Sequence, residues 1–293
     1  MKKLAVPQYS ALDVYEACLS EPRVAGNLQK YRDNQPQIVA AIEAYGAASQ
    51  AYVWCGLPRV PRGNENQIIA GTLSKKDMTD LYSIAMVQSS GPARVVYDSI
   101  MVGANGRCPF CGGIGQTATL DHFLPKANFP LYSVLPSNLV PCCRDCNTGK
   151  SSSFSAVVGE QPLHPYFDAP KFFEERWVHG QLHRTDPVSV SYYVAAPADW
   201  TPLEGARAEA HFVDYKLAAR FGIQAGAELA KVVDQRKRSL RFLSPADFRE
   251  VLLDGASTTG FDLNGWNRTL YSALAETEWF CEADFNEPAS YLD

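Results

Sequence analysis

The segment from Cys108 to Lys150, CPFCGGIGQTATLDHFLPKANFPLYSVLPSNLVPCCRDCNTGK, holds the side chains of this chain that can act together chemically. Cys108 and Cys111 form one CxxC pair, Cys143 and Cys146 a second. A CxxC turn lets both thiolates reach one tetrahedral Zn²⁺, so two pairs make a closed four-cysteine site whose metal is structural, with no coordination position left open. Its binding energy stands in for the core that so short a unit lacks. Cys142 adjoins Cys143 and is a rival ligand, but only Cys143 is in CxxC register with Cys146. Between the pairs, Asp121 and His122 are adjacent, and Asn147 directly follows the last Cys, so zinc closure brings a carboxylate, an imidazole and an amide oxygen together. Phosphodiester hydrolysis needs a base to take a proton from water and a hard cation to neutralise charge on the phosphate and leaving oxygen. The oxygens of Asp121 and Asn147 suit Mg²⁺ or Mn²⁺, with positions left for water and phosphate. An imidazole titrates near neutrality, which leaves His122 free to act as general base. Two plainer readings compete: a single His is more often a hydrogen-bonded structural residue, and ribbons with two CxxC pairs commonly perform no chemistry. The joint spacing of both pairs with Asp-His, Asn-Leu and Cys-Asn favours the catalytic reading.

LDHFLPK followed by NLVPCCRDCNTGK resembles the HNH, or ββα-metal, nuclease family with its common four-cysteine zinc framework. The resemblance implies Asp121 as metal ligand and His122 as general base. It also implies that Asn138, opening NLVP, is the middle asparagine that braces the loop and orients the base. Asn147 takes the final metal-ligating position, where families carry His or Asn, and Lys150 falls where a basic residue often faces phosphate. For Lys150 alone, a plain surface residue is an equal alternative. Outside this core, KKLAVPQYSALDVYEACLS, GRCPFCG, LDHFLPKANFPLYSVLPSNLVP and LHPYFD together resemble the PtuB-like HNH proteins of Septu-type and retron-associated anti-phage defence. That resemblance implies a nuclease working beside a PtuA-like ABC-type ATPase or within a retron complex, with partner surfaces on the helical flanks. His164, in LHPYFD, is a second imidazole that can touch phosphate or metal, but its setting before Pro165, Tyr166 and Phe167 favours a structural turn, with Asp168 holding a backbone amide.

These residues need a scaffold, and the flanks supply its signals. Ser10 is a plausible N-cap for a short helix carrying Val14, Tyr15 and Cys18, and the stretch from Asn27 to Ala51 spaces Ile38, Ile42, Tyr45 and Ala48 at helical intervals. Ser74 and Asp77 have the spacing of a capping box, opening a helix through Leu81, Ala85 and Met86. Pro58, Pro61, Gly63 and Asn64 mark a loop, and a short helix from Pro92 to Met101 leads into the first Cys pair. Beyond Phe154, VSVSYYVAA from Val188 to Ala196 reads as a strand, and Phe172, Phe173 and Trp177 as core. Helices return over 207–243, 245–253 and 266–279. The fold class that follows is α+β: a helical N-terminal region over 1–104, an HNH core with its zinc site over 105–168, and an α+β region over 169–293.

Composition sets the outer bounds. A hydrophobic fraction of 46% and a charged fraction of 20% are those of a globular protein, and no apolar run is long enough to span a membrane. The opening residues reach Pro7, Gln8 and Asp13 before any apolar core develops, so a secretory signal is not expected and a cytoplasmic location is. Cys18, Cys55, Cys142 and Cys281 read as small buried hydrophobes. The net charge of −5 argues against coating nucleic acid unaided. Lys231, Arg236, Lys237, Arg238, Arg241 and Arg249 against Asp234 and Asp247 nevertheless give a local +4, for which a solvated helix face is the commoner explanation and phosphate contact the other. From Tyr271 to Asp293 the chain is acidic without a basic residue. The leading expectation is a Mg²⁺- or Mn²⁺-dependent endonuclease acting on DNA, or on RNA such as tRNA, as the effector of a defence complex. The alternatives are a zinc-stabilised binding module without catalysis and a stand-alone restriction or mobile-element nuclease. The last lacks the strongly basic DNA-reading element it would need.

Overall fold

A computed structural model describes residues 1–150, 154–258 and 260–292. Ser151 to Ser153, inside the expected nuclease segment, and Asp293, in the acidic tail, lie outside these residues. The fold is α+β, mostly helical with small sheets, and divides into two compact units. One comprises Lys3–Phe110 and Gly115–Asp168; the other comprises Ala169–Asp293 together with Met1–Lys2 and Cys111–Ile114.

In the first unit, α1 (Ala11–Leu19) opens on Ser10, whose hydroxyl accepts from the Asp13 amide, and buries Val14, Tyr15, Cys18 and Leu19. The continuous helix expected over 27–51 is instead broken into α2 (Leu28–Asp33) and α3 (Gln35–Ala51) at Asn34. Pro36, in the first turn of α3, has no N–H to give the Arg32 carbonyl, and tertiary bonds fix the break. The buried Asn34 amide donates to the Lys30 carbonyl and the Thr72 hydroxyl, both at 2.8 Å, and accepts from the Thr72 amide at 3.0 Å. Gly71 makes the approach possible, since a Cβ there would lie 1.8 Å from the Asn34 side-chain oxygen. That turn joins the antiparallel strands β1 (Ile68–Ala70) and β2 (Leu73–Ser74).

The capping box of Ser74 and Asp77 is present and opens α4 (Lys75–Leu81). The expected run through Ala85 and Met86 then widens into a π-helical segment, Tyr82–Val87, closed by the Gln88 amide on the Ser83 carbonyl at 3.1 Å. After α5 (Pro92–Val102), the strands β3 (Thr119–His122) and β4 (Leu139–Cys142) pair antiparallel, with Asp121 opposite Val140 and His122 opposite Leu139. Helix α6 (Arg144–Lys150) follows at once. Tyr15, Tyr31, Met78, Leu81, Met86, Leu120 and Leu139 belong to one buried cluster, so the N-terminal helices and the β3–β4 hairpin share a core.

The second unit begins with α7 (Lys171–Glu174) and the six-pair hairpin of β5 (Val178–His183) and β6 (Ser189–Val194). It continues through α8 (Pro202–Asp214), α9 (Leu217–Lys237), α10 (Pro245–Ala256), α11 (Trp266–Glu276) and α12 (Glu278–Glu282). Phe172 and Trp177 are buried as expected, while Phe173 is only half-buried. No helix of the described residues is long and apolar enough to cross a membrane.

Candidate functional site

The sulfurs of Cys108, Cys111, Cys143 and Cys146 lie within 4.8 Å of one another, and all four residues are buried. A tetrahedral Zn²⁺ with bonds of about 2.3 Å needs sulfurs roughly 3.8 Å apart, so the donor set and its spacing fit this metal. The backbone is shaped for it. Gly115 carbonyl accepts from the Cys108 amide at 3.2 Å, and a Cβ on Gly115 would come within 2.7 Å of the Cys143 sulfur. The Cys146 amide in turn donates to the Cys143 sulfur at 3.5 Å.

Cys142 is buried as expected, but beside this cluster rather than in ordinary apolar packing. Its thiol donates to the Cys143 carbonyl at 3.3 Å. Hydrogen bonding to Cys108 and Cys143, with burial added and Cys146 opposing, pushes that thiol up. Cys18 and Cys281 are buried, and Cys55 is only half-buried.

Asp121 and His122 sit at the end of β3 and are almost fully buried. His122 Nε2 lies 2.9 Å from the Ser133 carbonyl oxygen, which can only accept, so Nε2 carries the proton and Nδ1 the lone pair. Burial, together with the charge of Lys126, pulls the imidazole down to about 3, so the ring is neutral at physiological pH. The ring of Tyr82 stands edge-on to the imidazole with centroids 4.4 Å apart, and the Lys126 ammonium lies 4.9 Å from the centroid of that tyrosine ring.

Lys150 is 2% exposed, so the plain-surface alternative does not hold. Its ammonium donates to Asp121 Oδ2 and the His122 carbonyl, both at 2.9 Å, and to the Phe123 carbonyl at 2.7 Å. Burial raises the Asp121 carboxyl above its usual range, and the Lys150 charge opposes that rise. Asn147, half-buried on the same helix, has its amide on the Cys143 carbonyl at 3.0 Å. It precedes Lys150 by three residues, so the two share a face of α6.

Asn138 is fully buried between β3 and the loop before β4. Its side-chain oxygen accepts from the Leu124 amide at 2.8 Å, and its nitrogen donates to the Leu124 and Tyr132 carbonyls at 3.2 and 3.1 Å. Its own carbonyl accepts from the Phe123 amide at 2.8 Å. It therefore ties the chain immediately after His122 to the loop that supplies the Ser133 carbonyl.

His164 takes the structural role. Nδ1 accepts from the Tyr166 amide at 3.2 Å, which leaves the proton on Nε2, 3.1 Å from the Tyr45 hydroxyl, and Asp168 accepts from the His164 amide at 2.5 Å. Its ring packs on Phe123 with centroids 4.0 Å apart.

Four residues around the site were not singled out for it in the sequence: Ser133, Lys126, Tyr82 and Tyr45, the last read only as an apolar helix position. Lys126 alone lies within the LDHFLPK motif. Tyr82 arrives from the π-helical segment, and Tyr45 from α3, where its hydroxyl lies 3.4 Å from the Asn138 side-chain oxygen across 93 residues of sequence. Only the fold brings these together.

No family model matches this chain, and no solved structure matches it. One curated relative is Protein ea31 of Escherichia phage lambda, 33% identical over 293 residues that cover 96% of this chain and 99% of that protein. With such identity along nearly the whole of both sequences, the chain belongs to the same family as phage lambda Protein ea31.

Proposed function

We propose that this chain is a metal-dependent endonuclease of the HNH, or ββα-metal, class, hydrolysing phosphodiester bonds in nucleic acid. The observation that carries the reading is the tautomer of His122: Nε2–H is committed to the Ser133 carbonyl, so Nδ1 is a fixed acceptor on a neutral ring. A base must hold a lone pair in a defined direction, and Nδ1 does, while the burial that lowers the imidazole to about 3 makes it a weaker base than a free one. Asp121 precedes it on β3, and α6 carries Asn147 and Lys150 against the same hairpin.

In this reading His122 Nδ1 takes the proton from water as the water oxygen forms a bond to phosphorus and an ester P–O bond breaks. Asn138 keeps the imidazole aimed by bonding both sides of its loop. Asp121 and Asn147 offer the hard oxygens that suit Mg²⁺ or Mn²⁺, a cation that when bound neutralises charge on the phosphate and leaving oxygen. The ammonium of Lys150 holds the Asp121 carboxylate in place. Lys126, half-buried four residues after His122, adds positive charge at the same edge. The cluster of four cysteines fits a structural zinc that closes the turn ahead of α6.

Two settings for such an enzyme differ in their partners. Likeness to PtuB-type proteins favours a cytoplasmic defence effector beside an ABC-type ATPase. Kinship with a phage lambda protein favours a phage or mobile-element nuclease acting without one. Co-purification with an ATPase from the native host supports the first, and its absence together with full activity of the isolated chain supports the second.

The test is cleavage of plasmid DNA, single-stranded DNA and total tRNA with Mg²⁺ or Mn²⁺. Wild type is expected to cut and His122→Ala to be inactive with unchanged zinc content, whereas Cys108→Ser loses zinc and melts lower. Equal cutting by wild type and His122→Ala overturns the assignment.

A further inference from the structure

The basic stretch at the end of α9 divides into residues with structural work and residues without it. Arg236 is 9% exposed and buries its guanidinium over the Phe248 ring at 4.5 Å. It donates to the Leu240 and Leu243 carbonyls, both at 2.9 Å, and to the Cys281 carbonyl at 3.3 Å. Lys231 and Arg238 pair along the helix with Glu228 and Asp234, at 3.2 and 2.9 Å. These are exposed pairs, weak and easily exchanged for other anions.

The turn that follows is built to project. Arg236 grips the carbonyls of Leu240 and Leu243, and the Leu240 amide donates to the Gln235 carbonyl at 2.8 Å, so both ends of the segment between them are fixed. Between those anchors stand Arg241 and Phe242. Phe242 is 81% exposed, the highest value among the large hydrophobic side chains described. The Arg241 guanidinium lies 4.4 Å from its ring centroid, which leaves the remainder of the ring open. Scattered surface hydrophobics are ordinary, but this one is presented on a pinned loop among cations. From Gln235 to Ala246 the sequence has Arg236, Lys237, Arg238 and Arg241 and no carboxylate, a local charge of +4.

We propose that the turn at residues 237–242 is a contact site for single-stranded nucleic acid, with Phe242 stacking on an unpaired base and Lys237, Arg238 and Arg241 meeting the flanking phosphates. The chemistry follows from the pairing of a π-face with clustered cations, since bases supply the first partner and the backbone the second. A duplex offers the phosphates without a free base face, so unpaired strands are the favoured ligand. The inference rests on the nucleic-acid reading above and adds where the chain grips its substrate, in a unit that does not contain His122.

The experiment is fluorescence anisotropy of labelled 20-mers of single-stranded DNA and RNA, and of a 20-base-pair duplex, with the zinc-loaded full chain in chelator-free buffer without Mg²⁺ or Mn²⁺ so that cleavage plays no part. The expected result is that wild type binds single strands more tightly than duplex, and that Phe242→Ala weakens single-strand binding by roughly five- to a hundredfold. Arg241→Ala lowers the slope of log affinity against log salt by about one. Ile223→Ala, an equally superficial change on α9, leaves binding unchanged, and circular dichroism melts of all three variants match wild type. The relative response of the DNA and RNA strands names the source of the ligand. Wild-type affinity retained by Phe242→Ala, equal affinity for duplex, or binding to phosphatidylserine vesicles in place of oligonucleotides each overturns the proposal. Loss of the nuclease assignment leaves a different trace, because strand binding without Mg²⁺ or Mn²⁺ then persists while no wild-type cleavage is seen when Mg²⁺ is added.

Discussion

An asparagine amide has two donor hydrogens and two acceptor lone pairs, and Asn138 commits all of them inside the protein. Leu124, Tyr132 and Tyr45 take them, at distances from 2.8 to 3.4 Å. The isosteric change Asn138→Asp therefore replaces a donating nitrogen by an oxygen that faces two carbonyl oxygens. Leaving such buried groups unpaired costs about 2 kcal/mol or more. We expect Asn138→Asp to melt several degrees below wild type and to lose cleavage while retaining its zinc, measured by calorimetry, nuclease assay and metal analysis. A melting temperature equal to wild type would remove Asn138 as the brace. The likeness of NLVP to a nuclease motif pointed to this residue. Its partner Tyr45 was legible only as one of several apolar positions on α3, because periodicity shows which face of a helix is buried and not what a hydroxyl on that face meets. The same limit applies to Lys150: its type suggested phosphate or solvent, and the fold gives it a carboxylate and two carbonyls.

Among the elements, those closed by neighbouring residues were the legible ones. Ser74 and Asp77 cap α4 through atoms three residues apart, and Ser10 does the same for α1, so no other part of the chain is needed. The break at Asn34 had one local signal, Pro36, but the bonds that fix it come from Thr72 beside Gly71, which no window around 27–51 contains. The β3–β4–α6 succession was expected from the likeness of LDHFLPK and NLVPCCRDCNTGK to ββα-metal nucleases, and the two CxxC pairs flank its strands. The fit between those pairs is tight at Gly115, where even a methyl group meets the Cβ of Cys143 at 2.6 Å and its sulfur at 2.7 Å. Gly115→Ala must displace one thiolate from its neighbours, whereas Cys142→Ser removes a sulfur whose hydrogen bond runs to the Cys143 carbonyl. Metal analysis should find about one zinc per chain in wild type and Cys142→Ser, and a clear deficit in Gly115→Ala and Cys143→Ser. A deficit in Cys142→Ser alone would exchange the two neighbours in the ligand set.

At the scale of the whole chain, composition said least. A net charge of −5 hides the local +4 of residues 235–246, and the order of elements along the sequence does not disclose that Met1–Lys2 and Cys111–Ile114 belong with Ala169–Asp293. That membership has an energetic consequence. Gly112 holds φ at +62°, where a side chain is strained by about 1–2 kcal/mol. A Cβ there would also stand 3.0 Å from the Met1 nitrogen and 3.5 Å from the Cα of Gly265, the residue that opens α11. The C-terminal unit thus takes part of its packing from a turn encoded far upstream, and a fragment of residues 169–293 lacks that part. Hydrogen exchange at the amides of residues 266–276 measures the effect directly. Protection there should be highest in the full chain, lower in full-length Gly112→Ala, and lowest in the fragment. Equal protection in all three would mean that α11 draws its stability from α9, α10 and β5 alone, and that the Cys111–Ile114 turn rests on the unit without supporting it.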